Sequence, residues 1–309
     1  MRSVLALSWA LVAASCVLPA RALPEPSPEP TVLVIASPSA SASVAPTADP
    51  SPSPSAIPSA SAAPSGDTLV DTHNALRSGS GLAPVRADPR ATEAARRHAD
   101  YLVRNDASGH DEDPARAGFT GATVAERLAA AGYPGATASE VAARSRDGAS
   151  SVRALWDLPY HRLGMAHPHL AAVGWAHVGA VTVGVFVYDF AARSADVARV
   201  PAPGAREVPR SWSGPESPDP LPAGAARPTG WPILVIYGGT PVVQLRAASL
   251  RSAAGTAVDL HAAPQVFERD YVVVIPARPL EARTTYRIRL EVRVGDADRV
   301  EEWEFATGT

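Results

Sequence analysis

The chain has 309 residues and a mass of 32.0 kDa, about twice the ~150 residues that serve as a soft prior for one domain, so two modest domains are expected. Hydrophobic residues make up 46% and charged residues 19%, but 31 prolines beside 22 glycines punctuate the chain too heavily for uninterrupted packing, so part of it is linker. A net charge of -3 offers no basic face for a polyanion, which excludes nucleic acid as an expected partner; the 28 basic residues are all arginine, which excludes a Walker lysine, a Schiff-base lysine or a Ser-Lys dyad; and the single cysteine, Cys16, excludes a disulfide framework, a CxxC redox pair or a thiolate zinc cage.

Taken in chain order, Arg2, the apolar run from Val4 to Leu18 and Ala20-Arg21-Ala22 read as a secretory signal over residues 1–22. The apolar run falls short of the ~20 residues that span a bilayer, so an uncleaved transmembrane helix is disfavoured. A second cut stays open: Ala13-Ala14-Ser15-Cys16 resembles a degraded bacterial lipobox, in which Cys16 would be acylated and would tether the protein to a membrane. Either cut makes the protein extracellular or places it in the cell envelope. Residues 23–65 are almost entirely Pro, Ala, Ser and Thr, a composition that cannot bury enough apolar surface to offset ordering entropy, and they read as a disordered stalk.

Composition changes at Gly66-Asp67. Asp67 caps an expected first helix that carries Leu69, Val70, His73 and Leu76 and ends at Gly79 to Gly81; Asp88-Pro89 starts a second, with Ala91, Ala94, Ala95, His98 and Leu102 at helical spacing. Thr123 and Glu126 form a capping box for a third helix that stops at Gly132, and Ser150 caps a fourth that Pro159 breaks. Leu170 to Val178 and Val181 to Phe190 then read as a hairpin turning at Gly179-Ala180. Helices followed by paired strands give an α+β, three-layer α-β-α domain over 66–198, with a core of its own that should let it fold alone. Residues 199–230 are Pro-rich but hold Trp212 and several charges, and read as an ordered connector. From 231 to 309 the pattern is all β: Ile233 to Tyr237, Val242 to Leu245, Ala257 to Leu260, Tyr271 to Ile275, Thr285 to Val294 and Val300 to Phe305 are short strands spaced as in an immunoglobulin-like sandwich.

Seven of the eight histidines lie between His73 and His177, which confines imidazole chemistry to the first domain. No G-x-S-x-G elbow, H-E-x-x-H helix, EF-hand loop or G-x-G-x-x-G turn occurs. His98 lies on an alanine-rich helix face and reads as a core histidine. His73 is assigned no chemistry; Asn74 and Arg77, on one helical face, are expected to tie their helix to a neighbouring loop. His167 and His169 read as loop surface, and Trp156, Trp175 and Phe186 as core.

The blocks His73-Asn74-Ala75-Leu76-Arg77, Gly81-Leu82-Ala83-Pro84-Val85, His98-Ala99-Asp100-Tyr101-Leu102, Ser108-Gly109-His110, Arg127 with Gly132-Tyr133, Ser139-Glu140-Val141, Trp156 with Pro159-Tyr160-His161-Arg162, and Val173-Gly174 stand in the order and spacing of one family. The segment from Thr68 to Phe190 resembles the CAP superfamily of cysteine-rich secretory proteins, antigen 5 and pathogenesis-related proteins, in its cysteine-free bacterial form. The resemblance implies a surface cleft where two His and two Glu converge, and where some members bind a divalent metal. Carried over by position, His110, Glu140 and His161 take three of those places. The second Glu does not carry over, because Asp157-Leu158-Pro159 follows the tryptophan, and Asp157 is left as the substitute.

Two imidazoles and one carboxylate can hold zinc with open positions, so His110 and His161 are the metal-ligand candidates and zinc the cofactor candidate; without metal the three form an acid/base cluster. The bland alternative also stands: Asp111, Glu112 and Asp113 read as a solvated acidic loop beside His110, and His161-Arg162 as a packing pair at a helix start. Three functions remain open on this reading. One is a monomeric exported module that binds a small ligand, lipid, peptide or metal without turnover. Another is a metal- or His/Glu-dependent hydrolase of the envelope, and the third a structural or adhesive envelope protein.

Overall fold

The computed structural model describes residues 66–191, 197–238 and 242–309; the expected signal over 1–22, Cys16 and the stalk over 23–65 lie outside the described residues. Helix α1 (Gly66–Gly79) takes in Asp67, the expected cap, as a helical residue. Asn74 binds the following loop in both directions, donating from Nδ2 to Val85 O at 2.9 Å and accepting from Val85 N at 2.8 Å, and Arg77 Nε donates to Ala83 O at 2.9 Å. Helix α2 (Pro89–Arg104) starts as its sequence dictates, with Asp88 accepting from Arg90 N and Pro89 in the first turn. Helix α3 (Val124–Ala130) has Thr123 as its cap, while Glu126 reaches back to Ala122 N at 2.7 Å.

Helix α4 (Gly148–Asp157) is capped by Asp147, whose carboxylate accepts from Ser150 N at 2.8 Å. Ser150, the expected cap, lies inside the first turn, because Asp147 supplies an acceptor three residues earlier. Helix α4 ends at Asp157, ahead of Pro159 as expected, and Pro159 also opens α5 (Pro159–Met165), since the first turn of a helix loses nothing by lacking that N–H.

Strands β1 (Arg86–Ala87), β2 (Thr137–Arg144), β3 (Leu170–Val178) and β4 (Val181–Tyr188) form a sheet in the order β1-β3-β4-β2, with β1 parallel to β3 and the other pairs antiparallel. The hairpin β3–β4 follows its sequence pattern. Edge strand β2 does not announce itself, since only Thr137 and Val141 of its eight residues are β-branched, and pairing with β4 makes it a strand. Val181, Val183, Val185 and Val187 face Ala91, Ala94, Ala95, Ala99 and Leu102 of α2 and Leu128 of α3; on the other face Val173, Trp175 and Phe186 pack with Leu69, Val152, Leu155 and Trp156 of α1 and α4. These are the layers of an α-β-α sandwich. Gly174 sets how closely α2 approaches, for a Cβ there would lie 2.0 Å from the carbonyl carbon of Ala91. Trp156, Trp175 and Phe186 are core, as expected.

Beyond the first domain, β5 (Ala198–Val200), β6 (Ile233–Ile236), β7 (Val243–Ser252), β8 (Ala257–Val258), β9 (Leu260–Ala262), β10 (Tyr271–Pro276), β11 (Thr285–Val294) and β12 (Ala297–Ala306) make two antiparallel four-stranded sheets, ordered β5-β6-β10-β9 and β12-β11-β7-β8. They form a β-sandwich domain. In β11, Tyr286, Ile288, Leu290, Val292 and Val294 are buried, while Arg287 pairs outward with Glu302 and Glu304 of β12. β7 runs past Leu245 to Ser252, and its exposed Arg246, Ser249 and Arg251 hide that from a pattern reading. β5 pairs with β6, so this sheet begins in the stretch next to the expected domain boundary.

Past β5, which takes in residues 199 and 200, the connector carries no helix or named strand, yet it is pinned: Trp212 is buried and exchanges two 2.9 Å backbone hydrogen bonds with Thr229. Through Trp212, Leu221 and Trp231 the apolar packing on the α1/α4 side continues without a break into the sandwich core. The first domain's core is thus not closed off by its own residues. Among the described residues, no helix is long and apolar enough to cross a membrane.

Candidate functional site: two imidazoles held by buried carboxylates

His110 sits in the loop between α2 and α3, with its side chain 53% exposed, and its Nδ1 donates to Glu140 Oε1 at 3.1 Å. Glu140 lies on β2 with its side chain buried, and a buried carboxylate persists only when paired and hydrogen-bonded. Arg127 of α3 supplies both. Its Nη2 donates to Glu140 Oε1 and Oε2 at 3.1 and 3.0 Å and to the carbonyl of His110 at 2.8 Å, while Nη1 donates to the carbonyls of Gly121 and Ala122, both at 3.2 Å. One fully buried guanidinium therefore fixes both the carboxylate and the backbone that carries the imidazole. Gly121 permits this closure, since an added Cβ would lie 2.7 Å from Arg127 N.

A second carboxylate lies beneath. Glu112 is buried, not part of a solvated acidic run: His98 Nδ1 donates to its Oε1 at 2.9 Å and Thr120 N to its Oε2 at 2.7 Å. His98 is a buried histidine, as its helix face predicts, but its Nε2 also lies 3.3 Å from Glu140 Oε1. It is a strut of the site. Sequence pattern gives no hint of the Glu112–His98 pairing, because the alternation that marks an inward residue is absent from a loop.

His161 stands on α5, and its Nδ1 donates to Glu216 Oε1 at 2.7 Å. Glu216 belongs to the connector, and no local motif marks it. The structure gives His161 no hydrogen bond or ion pair with His110 or Glu140. Asp157 turns elsewhere, accepting from Trp231 Nε1 at 3.3 Å; burial raises its carboxyl above the ordinary range, against the pull of Arg162. Beside it Arg162 is fully buried, donating from Nη1 to Pro232 O at 2.9 Å and from Nη2 to Asp157 O at 3.1 Å, with its guanidinium 3.7 Å over the Trp231 ring. Burial lowers its pKa to about 9.

The two halves lie at one edge strand, β2, on opposite faces of it. Ser139 and Glu140 are neighbours on β2, and a Cβ on Gly164 of α5, three residues after His161 and on the same helical side, would lie 3.0 Å from Ser139 Oγ. Among the described residues no group of three or more His, Cys, Asp or Glu is placed to hold an ion; each imidazole gives its Nδ1 to a different carboxylate and keeps its Nε2.

Two further histidines are accounted for by packing. His73 is buried among Trp156, Trp175 and Phe186; its Nε2 donates to Met165 O at 3.0 Å, its Nδ1 accepts from Trp175 Nε1 at 3.3 Å, and burial lowers its pKa to about 3. His167, read as loop surface, is in fact mostly buried and lies 3.5 Å from Asp270 of the sandwich.

Residues 70–190 match the sequence profile of the cysteine-rich secretory protein family, CAP. The match covers one domain of the chain, residues 70–190, which is a CAP domain. Among solved structures, it is similar to an extracellular protein containing a SCP domain from Bacillus anthracis str. Ames, at 19% identity and a TM-score of 0.36, over 40% of this chain and 40% of that one. It is also similar to an outer surface protein from Borrelia burgdorferi, at 18% identity and a TM-score of 0.34, over 40% of this chain and 90% of that one. A third similarity is to CopC from Methylosinus trichosporium OB3b, at 14% identity and a TM-score of 0.25, over 36% of this chain and 88% of that one. No curated protein matches the chain significantly.

Proposed function

We propose that this chain is an exported CAP-domain protein that binds a ligand without turning it over, with the outward ring edges of His110 and His161 as its recognition groups. The observation that carries the reading is that each ring is held at Nδ1 by a buried carboxylate. A carboxylate can only accept, so each neutral ring keeps its proton on Nδ1 and turns an unprotonated Nε2 away from its partner. Two fixed acceptors along one sheet edge suit a ligand rich in hydrogen-bond donors, such as a peptide backbone or a hydroxyl-bearing lipid headgroup. Against turnover, neither ring hydrogen-bonds a serine or threonine hydroxyl among the described residues, so no nucleophile is paired with a base. Export rests on the signal read over residues 1–22.

The test follows the ring nitrogens of residues 66–309 by NMR while triglycine, phosphatidylglycerol vesicles or zinc chloride is added. Triglycine or the vesicles should perturb both His110 and His161, with no product on chromatography and with the response lost in His110→Ala and His161→Ala. Product formation, or a response to zinc alone, would overturn the reading.

A further inference from the structure

Helix α5 begins at a disadvantage. Leu158 stands at its N-cap with no side chain able to accept, and Pro159 follows, so the first free amides belong to Tyr160 and His161. Glu216, more than fifty residues further along, satisfies both: Oε2 accepts from Tyr160 N at 3.0 Å and Oε1 from His161 N at 3.2 Å. The same Oε1 lies 2.7 Å from His161 Nδ1. The Glu216 side chain is fully buried, whereas that of His161 is 23% exposed. With two amides fixing the carboxylate from below, the imidazole can meet it only as Nδ1–H, and the opposite ring edge is the one left to solvent.

We infer that Glu216 is the positioning residue for His161, so that the connector, and not the CAP domain itself, supplies the second carboxylate of the cleft and decides which nitrogen of His161 faces a ligand. The inference builds on the ligand-binding reading above, but it concerns how the site is assembled. Asp157 is turned to Trp231 and leaves the place to be filled from outside. The connector is held where it can fill it, since Trp212 and Leu221 on either side of Glu216 are buried, and Arg162 reaches from α5 to the carbonyl of Pro232 at the entry to the sandwich. Seating the connector on α5 and fixing the ring of His161 are thus one arrangement.

The test uses residues 66–309 with nitrogen-15 in the histidine rings, at a pH where the rings are neutral. In the wild-type protein His161 should show a protonated Nδ1 and an unprotonated Nε2. In Glu216→Ala it should pass to the Nε2–H form that an unpaired imidazole prefers, while His110, backed by Glu140, keeps its pattern and reports that the domain is folded. A purely structural cap would cost stability and leave the tautomer of His161 as it was, and that result overturns the inference. A wild-type spectrum with Nε2–H on His161 overturns it outright, and decides alone should Glu216→Ala fail to fold. Failure of any probe to bind, with the tautomers as expected, removes the ligand reading and leaves this one standing.

Discussion

The surroundings of His110 and of His161 solve one problem with different means. On the His110 side everything comes from the CAP domain: Glu140 from β2, Arg127 from α3, and Glu112 with His98 below them. On the His161 side the carboxylate arrives from the connector, and the neighbouring Arg162 finds its partners in backbone carbonyls and an indole face that includes the sandwich border. The first half is an ionic network whose charged groups find their partners in side chains of one domain; the second is a seam whose polar groups are satisfied only when two regions dock. The first should therefore be sensitive to any lost charge, and the second to anything that loosens the seam.

Arg127→Met should have the largest effect, because it leaves Glu112 and Glu140 buried without their cation; breaking a buried pair from one side costs roughly 3–5 kcal/mol. Urea unfolding of residues 66–309 measures this, and a loss below about 1 kcal/mol would mean that the network is wetter than its geometry. Arg162→Met should cost somewhat less, about 2–4 kcal/mol, since it strands carbonyls of Trp156, Asp157 and Pro232 without exposing a charge. The same seam predicts that residues 66–198 alone melt well below residues 66–309, against the separate core expected from sequence, because Arg162 and the α1/α4 packing face lose their cover.

His73 lies in neither half and provides the pH dependence. Its folded-state pKa of about 3 lies below the ordinary 6.5, so both states are neutral above pH 6.5 and its share of stability is fully present there. As pH falls below 6.5 the unfolded chain takes up a proton that the folded one refuses, and stability falls by up to about 1.4 kcal/mol per pH unit toward pH 3. His73→Phe should flatten that slope between pH 6 and pH 4, and an unchanged slope would assign it to other groups.

Asp157→Asn should have the smallest effect. The amide oxygen can still accept from Trp231 Nε1, and burial already disfavours charge at this position, so the change should stay within about 1 kcal/mol and leave the ring signals of His161 untouched.

How much of this was readable in the sequence follows from where each signal resides. The caps at Asp88 and Thr123, the α2 alanine face, the β3–β4 hairpin and the alternation of β11 are local, and each forms where its residues point. The ties of Asn74 and Arg77 follow from two residues on one helical face. Strand β2 does not, because an edge strand poor in β-branched residues is made by its neighbour. The carboxylate partners are hidden for the same reason. Glu112 sits in an acidic run whose burial is decided by Arg127 and Thr120, and Glu216 in a Pro-rich stretch whose partner lies 55 residues away. Family resemblance pointed to both histidines and Glu140 as candidates, but the residue that meets His161 lies outside the span the resemblance covers.

The most direct test of the account is the ring-nitrogen spectrum of residues 66–309 in four forms: wild type, Glu140→Gln, Glu216→Ala and the double variant. If the halves are held separately, Glu140→Gln alters the signals of His110 alone, Glu216→Ala alters those of His161 alone, and the double variant shows the sum of the two. A Glu216→Ala spectrum that shifts His110, or that leaves His161 unchanged, would contradict it.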